Sequence, residues 1–145
     1  MKSFDFTVQD KTPKGTDNNY VLLQAGKGKA KYSSLYVNPK GFSFLEGLIW
    51  DKYREFNREK RKNKIDSNEW ERILDGFETA SALLVETKSV SEWKSILKFD
   101  LTNPKYELEE LLSEQVSFTN MLNELIEWLS RVISQEKYVY INYLG

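Results

Sequence analysis

Hydrophobic and polar positions alternate along the first part of the chain. From Ser3 to Gln9 every second side chain is apolar, which is typical of a strand with one buried face. Tyr20 to Ala25 and Ala30 to Val37 are two further apolar runs, and the glycine-containing link between them predicts a β-hairpin. Asp10 to Asn19 is polar and predicts a loop, and Asn38 to Gly41 is expected to close this sheet region.

The spacing of apolar residues becomes helical from Ser43 onward. Ser43 and Glu46 have the spacing of a capping box, and the residues that follow predict a helix running out in a basic segment that ends at Lys64. A second helix is expected to start near residues 66–67, with residues 82–87 open to either helix or strand. The inward stripe of this second helix is predicted to be Trp70, Ile73, Leu74, Phe77, Ser81 and Leu84.

Two more helical regions and one strand complete the pattern. Ser89 and Glu92 have capping-box spacing and predict a short helix. Residues 104–134 predict one helix, or two with a break near residues 115–117. Residues 137–144 predict a strand that returns to the N-terminal sheet. Because this strand is apolar at nearly every position, either both its faces are covered or it offers an edge for a partner strand.

These elements predict one α+β domain over residues 1–145. A small, mainly antiparallel sheet, made of N-terminal strands and a C-terminal strand, is expected to pack against four or five helices. The length of 145 residues fits one domain. Hydrophobic residues make up 40% of the chain, with 8 Phe, 8 Tyr and 4 Trp, so the core needs no disulfide or metal.

The chain contains no cysteine and no histidine, which narrows the chemistry it could perform. Thiolate nucleophiles, common zinc sites and the usual neutral-pH general base are all missing. We therefore expect a non-enzymatic protein without cofactor or metal. A carboxylate-dependent hydrolase, with or without Mg²⁺, stays open as an alternative. Asp51, beside Trp50, comes nearest to a catalytic carboxylate in an apolar setting.

No segment has the features of a signal peptide or a membrane span. The N-terminus lacks an apolar stretch, and the longest aliphatic run, residues 82–85, is too short to cross a bilayer. We expect a cytoplasmic protein with no membrane partner.

The net charge of −1 hides a division of charge along the chain. Residues 1–64 carry 14 Lys and Arg against 7 Asp and Glu, a balance of +7. Residues 65–145 carry 7 against 15, a balance of −8. Segregated charge steers charged partners, but it does not say which half binds, and the two halves could instead neutralise each other in the fold.

The acidic half predicts a docking surface for a cationic protein. Its acidic helical residues, with one tryptophan as a candidate anchor, are Glu107, Glu110, Glu114, Glu124, Glu127 and Trp128. Carboxylates at this spacing also suit a divalent cation, an acid/base pair, or the solvated face of an amphipathic helix.

The basic half predicts an alternative surface for nucleic acid. Its cations, which lie on the hairpin link and in the basic segment, are Lys27, Lys29, Arg54, Arg58, Lys60, Arg61, Lys62 and Lys64. Tyrosines among them could stack on bases. The same residues would also fit a solvated helix end or a binding site for an acidic protein. The pI of the chain, about 5.7, is unusually low for a dedicated nucleic-acid binder. The glycines beside Lys27 are explained by a turn better than by a phosphate loop.

The whole profile favours a stoichiometric binder. A small cytoplasmic α+β protein with segregated charge and no common catalytic side chain fits an immunity or antitoxin-type protein. Such a protein would neutralise a bacterial toxin domain, for example a cationic nuclease, by binding it directly. The alternatives are a nucleic-acid-binding accessory protein and the carboxylate-dependent hydrolase.

Overall fold

Five strands and five helices lie within the residues that the computed structural model describes, which are 8–9, 20–26, 34–87, 89–98 and 114–143. The strands are β1 (Val8–Gln9), β2 (Val21–Ala25), β3 (Ser34–Val37), β4 (Lys62–Asp66) and β5 (Tyr138–Tyr143). The helices are α1 (Pro39–Ser43), α2 (Glu46–Lys52), α3 (Ser67–Glu86), α4 (Val90–Ile96) and α5 (Gln115–Val132). The predicted loop over residues 10–19 and the predicted helix start at Pro104 lie outside the described residues.

The five strands form one antiparallel sheet in the order β1-β3-β2-β5-β4. β5 lies between β2 and β4, so that Ile141 is opposite Leu23 on one side and Asn63 on the other. The predicted α+β fold, with a C-terminal strand returning to the N-terminal strands, is confirmed. The suggestion that this last strand offers a free edge is wrong, because β5 has a hydrogen-bonded neighbour along both sides.

The sheet has one buried face and one face that we call the open sheet face. Because side chains alternate along a strand and directly paired residues point the same way, the register assigns each residue to one face. The buried face is formed by Val21, Leu23, Ala25, Leu35, Val37, Ile65, Val139 and Ile141, together with the buried Asn63. The open sheet face is formed by Leu22, Gln24, Ser34, Tyr36, Lys62, Lys64, Asp66, Tyr138, Tyr140 and Asn142, all half-buried or exposed.

The helices pack against the buried face of the sheet and share one hydrophobic core with it. The indole Nε1 of Trp70, on α3, donates a hydrogen bond of 3.1 Å to the carbonyl of Val139 on β5. The two long helices run antiparallel, because Gln115 at the start of α5 donates to the carbonyl of Leu84 near the end of α3, at 2.9 Å. The molecule is therefore a two-layer structure with helices on one side and the open sheet face on the other.

The two long helices follow the predicted periodicity. α3 begins at Ser67, as expected, and continues to Glu86. Residues 82–86, which the sequence left open to helix or strand, are therefore helical. Of its predicted stripe, only Ser81 is half-buried rather than buried. α5 begins at Gln115, inside the segment where a break was predicted. Phe118, Met121, Leu122, Leu125 and Leu129 form its buried side, and Ile126 packs partly buried against the same core.

The predicted helix from Ser43 to Lys64 is confirmed only over α2, Glu46–Lys52, and its predicted start and basic end are wrong. Ser43 ends α1 instead of capping a helix, and α1 begins after Asn38, whose Oδ1 accepts a hydrogen bond of 2.9 Å from the amide of Lys40. α2 has no side-chain cap and ends at Lys52. The chain then turns and enters β4, so the basic segment contains a strand at the edge of the sheet and not a helix end.

A buried asparagine organises the turn before β4. The Asn63 side chain is 4% exposed. Its Oδ1 accepts from the amide of Asn57 at 3.0 Å, and its Nδ2 donates to the carbonyls of Asn57 at 3.0 Å and Lys60 at 3.3 Å. These bonds satisfy backbone groups that a helix would have paired internally, so the turn competes with helix formation in this segment.

Candidate functional site

The predicted acidic residues do not all reach one surface. Glu124 and Glu127 are exposed and share one face of α5. Glu114 is half-buried beside the start of that helix, and its Oε2 is buried without a hydrogen-bond partner in the described structure. Glu107 and Glu110 lie outside the described residues. The assignment of Trp128 as an anchor is wrong, because its side chain is 3% exposed and belongs to the core.

The exposed side of α3 carries carboxylates that the sequence prediction missed. Glu71, Asp75 and Glu78 are exposed and follow one another at helical spacing, opposite the buried stripe. The same periodicity that identified the inward residues of α3 would have identified these three as outward. On the adjacent surface, Ser81 donates a hydrogen bond of 2.7 Å to Oδ1 of Asn123 and so links α3 to α5.

We call the combined surface of the two long helices the acidic helical face. α3 and α5 together carry seven carboxylates and two arginines, a net charge of −5. The face is defined by Glu71, Asp75, Glu78, Glu124 and Glu127. Negative charge concentrated on one rigid layer produces an electrostatic field that extends into solvent and attracts cations.

A groove of about 280 Å³ borders this face between α2, α3 and the end of α4. The carboxylates of Asp51 and Asp75 lie along it, as do two lysines, Lys52 and Lys98. Leu83 also lines the groove and is 46% exposed, which is unusual for a large aliphatic side chain in this structure. The groove therefore offers an apolar contact with charged groups around it, the usual arrangement of a protein-binding surface.

The predicted basic run is divided among different environments. Lys62 and Lys64 are on the open sheet face. Arg58 points to Glu46, with its Nη1 3.8 Å from Oε1 of that carboxylate. The guanidinium of Arg54 lies 4.1 Å from the ring centre of Trp50.

Two other cations of the run, Lys60 and Arg61, are exposed, whereas Lys27 and Lys29 lie outside the described residues. The run does not form a single cationic surface within the described chain.

The lysines of β4 lie over tyrosine rings of the neighbouring strand. The Nζ of Lys62 is 4.1 Å from the ring centre of Tyr140, and the Nζ of Lys64 is 4.4 Å from that of Tyr138. The two rings contact each other edge to face, with centres 5.1 Å apart. This cluster was missed because it depends on the pairing of β4 with β5, which brings together residues more than seventy positions apart in the chain.

A buried carboxylate joins α2 to β5 on the other side of the sheet. Glu46 is 5% exposed, and its Oε2 accepts a hydrogen bond of 2.5 Å from the hydroxyl of Tyr143. Burial raises the pKa of Glu46, while the Tyr143 hydrogen bond and the charge of Arg58 oppose this rise. Burial and the adjacent carboxylate raise the pKa of Tyr143, so its hydroxyl stays neutral and donates.

This carboxylate has the environment that the hydrolase alternative requires, but it is buried away from solvent. Sequence reasoning had assigned Glu46 to a helix cap and had named Asp51 instead. Asp51 lies near two cations, with Nζ of Lys52 at 3.9 Å and Nη2 of Arg54 at 4.0 Å. Glu46 is therefore inaccessible, whereas Asp51 is half-buried at the groove, and the hydrolase stays a prediction.

The two halves of the sequence do not neutralise each other through ion pairs in the described structure. Each of its four recorded ion pairs joins residues of the same half, and Arg72 with Glu69 is the one pair from the acidic half, at 3.3 Å. In the described parts of the chain, no three acidic side chains are arranged to hold a metal ion. None of the described helices is long and apolar enough to cross a membrane.

Fold and surfaces together define a two-layer α+β protein whose helical side is acidic and whose open sheet face carries tyrosines and lysines. Comparisons with protein-family models, with curated proteins and with solved structures found no match to this chain. The functional argument therefore rests on the surfaces of this molecule.

Proposed function

We propose that this protein is a stoichiometric inhibitor of the immunity or antitoxin type, which binds a cationic bacterial toxin domain through the acidic helical face. The observation that carries the proposal is the net charge of −5 on α3 and α5, which no recorded ion pair to the basic half offsets. A toxin that cleaves nucleic acid needs a cationic surface for phosphates, and such a surface is complementary to this face.

Electrostatic complementarity would chiefly accelerate association. Facing surfaces of opposite charge raise association rates above those of uncharged pairs, and the gain falls as salt screens the field. An inhibitor that must capture its toxin before damage occurs benefits from this rate. The cytoplasmic location expected from the sequence belongs to the same proposal, because the inhibitor must meet its toxin inside the protected cell.

An apolar contact beside the carboxylates would slow dissociation of the complex. With Trp128 in the core, the exposed large aliphatic residues of the described chain take its place as candidate anchors, and these are Leu83, Val85 and Val116. Leu83 is the best placed, because it lines the groove together with Asp75. The helices that carry these side chains are fixed by a shared core, so binding costs little conformational entropy of the backbone.

The test uses proteins encoded by the genes that adjoin the gene for this chain, each assayed first for toxic activity. Each protein found toxic and this chain are purified separately and mixed while the toxic activity is followed. We expect a complex of one copy each and complete loss of activity at one equivalent. Persistent toxic activity at every ratio would contradict the proposal.

Charge variants then locate the surface. Glu124→Gln with Glu127→Gln removes two negative charges from the acidic helical face, and we expect affinity to fall about tenfold, mainly through slower association. The matched control is Gln24→Lys with Asn142→Lys, which changes the net charge by the same amount on the open sheet face. It should alter affinity by less than about threefold. Equal losses in both double variants would show that net charge, and not this face, governs binding.

A further inference from the structure

We propose that the open sheet face is a binding site for single-stranded nucleic acid. The inference does not depend on the inhibitor function, because it concerns the opposite side of the molecule. Stacking rings, phosphate-binding cations and amide groups for base edges are the three components of such sites, and this face presents all three.

The rings come from β5, an interior strand of the sheet. Tyr138 and Tyr140 are half-buried, and they lie on the side of the sheet away from the helices. Because β5 is paired on both sides, the backbone that carries these rings is fixed before any ligand arrives.

The cations come from the neighbouring edge strand. Lys62 and Lys64 have their ammonium groups 4.1 and 4.4 Å from the ring centres of Tyr140 and Tyr138. A base stacked on either ring would bring its own phosphate within reach of the displaced ammonium group. Stacking of a base on an aromatic ring is generally stronger than an exposed cation–π contact, so the exchange is favourable.

Amide side chains lie beside the rings. Gln24 is directly opposite Tyr140, and Asn142 is opposite Lys62. Each amide offers both a donor and an acceptor, which suits the edges of unpaired bases. In a duplex those edges are paired and the rings are stacked within the helix, so a sheet surface of this kind favours a single strand.

The acidic helical face does not prevent this binding at physiological salt. A helix with its side chains is about 10–12 Å across, so carboxylates on the outer side of the helical layer lie more than one Debye length, about 8 Å, from the open sheet face. Asp66 is the nearer acidic group, since it is opposite Tyr138 at the end of β4. The nucleic acid is therefore expected to run along β5 away from Asp66 and toward Lys62.

The test measures fluorescence anisotropy of labelled oligo(dT), oligo(U) and a duplex, each of about 15 nucleotides, with the purified full chain. We expect both single strands to bind at about 20 mM salt and more weakly at about 200 mM, with the duplex weaker than either. The ratio of oligo(U) to oligo(dT) affinity distinguishes an RNA site from a DNA site.

Variants separate stacking from charge. Tyr138→Leu with Tyr140→Leu should lower affinity about tenfold or more, whereas Tyr138→Phe with Tyr140→Phe, which keeps both rings, should stay within about threefold. Lys62→Gln with Lys64→Gln should weaken binding and reduce the slope of log affinity against log salt by about 1.4, or about 0.7 per phosphate. The matched control, Lys52→Gln with Lys94→Gln on the helical side, should leave that slope unchanged.

The proposal would be overturned by no binding of either single strand at low salt, by equal losses in the sheet-face and control lysine variants, or by leucine variants that bind like the wild type. Polyglutamate that competes as well as oligonucleotide would instead indicate an acidic protein as the ligand, and it would overturn the proposal too. Circular dichroism shows whether each variant is folded. In the wild type, changes in the chemical shifts of the Tyr138 and Tyr140 rings on adding oligonucleotide test the site without any substitution.

Discussion

The acidic helical face and the open sheet face differ in how they hold their charges. On the helices, Glu71, Asp75 and Glu78 project from a surface whose other side is buried, and they have solvent on their outer side. On the sheet, Lys62 and Lys64 lie against tyrosine rings. The helical charges therefore act mainly at a distance, whereas the sheet charges belong to a contact surface with apolar area of its own.

The division between the two faces coincides with one junction in the chain. Lys64 ends the basic half, and α3 begins three residues later at Ser67 on the other side of the sheet. Because a strand at the sheet edge is followed directly by a helix in the second layer, Lys62 and Lys64 lie on the opposite side of the molecule from the carboxylates of α3. Other cations of the basic half do not follow this division, since Lys52 lines the groove beside Asp75.

Removing the indole that joins the two layers should have the largest effect. Trp70 is 1% exposed and bonds to Val139, so Trp70→Ala leaves a cavity between α3 and β5. We expect the free energy of unfolding to fall by about 3–5 kcal/mol, measured by urea denaturation. Trp70→Phe, which keeps an aromatic ring but lacks the donor, should cost less. A loss below about 1 kcal/mol in Trp70→Ala would show that the layers are held together elsewhere.

Tyr143 lies on β5 with its side chain turned to the helices, in contrast to Tyr138 and Tyr140. Tyr143→Phe removes the hydroxyl that donates to buried Glu46, and it should lower the free energy of unfolding by about 1.5–3 kcal/mol at pH 7. Burial raises the folded-state pKa of Glu46 above the ordinary value of a glutamate, so the protein loses stability as pH rises through that raised pKa. Without its donor the carboxylate has a still higher pKa, so the destabilisation should be larger at pH 7 than at pH 4.

The matched control for this pH dependence is Glu46→Gln, which cannot ionise. In that background Tyr143→Phe should cost the same at pH 4 and pH 7 in urea denaturation. A pH-independent effect of Tyr143→Phe in the wild-type background would contradict the assignment of the linkage to Glu46.

The long helices were predictable because their signal is repeated over many turns. In α5 the inward positions Phe118, Met121 and Leu125 are each at most 1% exposed, and one misplaced residue would not have hidden such a pattern. The outward carboxylates of the acidic helical face follow from the same repeat. Of the two candidate surfaces, the acidic helical face was thus predictable from local periodicity alone.

β4 and the open sheet face were not predictable in this way. The segment Lys62–Asp66 alternates, but one of its two inward residues is Asn63, a polar residue whose burial depends on the turn that it stabilises. Its neighbours are lysines and arginines, which favour helices and suit a helix C-terminus. The tyrosine–lysine cluster requires the pairing of Lys64 with Tyr140, a long-range contact that no local pattern reports.

The smallest expected effect is the contribution of a single surface charge to stability, and it compares the two faces most directly. A double-mutant cycle of Lys64→Met and Tyr138→Leu isolates the contact between the ammonium group and the ring, and we expect a coupling free energy of about 0.5–1 kcal/mol from urea denaturation. Glu124→Gln and Glu127→Gln, on the acidic helical face, should each change stability by less than about 0.5 kcal/mol. A coupling of zero on the sheet would mean that Lys64 is merely solvated above the ring, and the two faces would then hold their charges in the same manner.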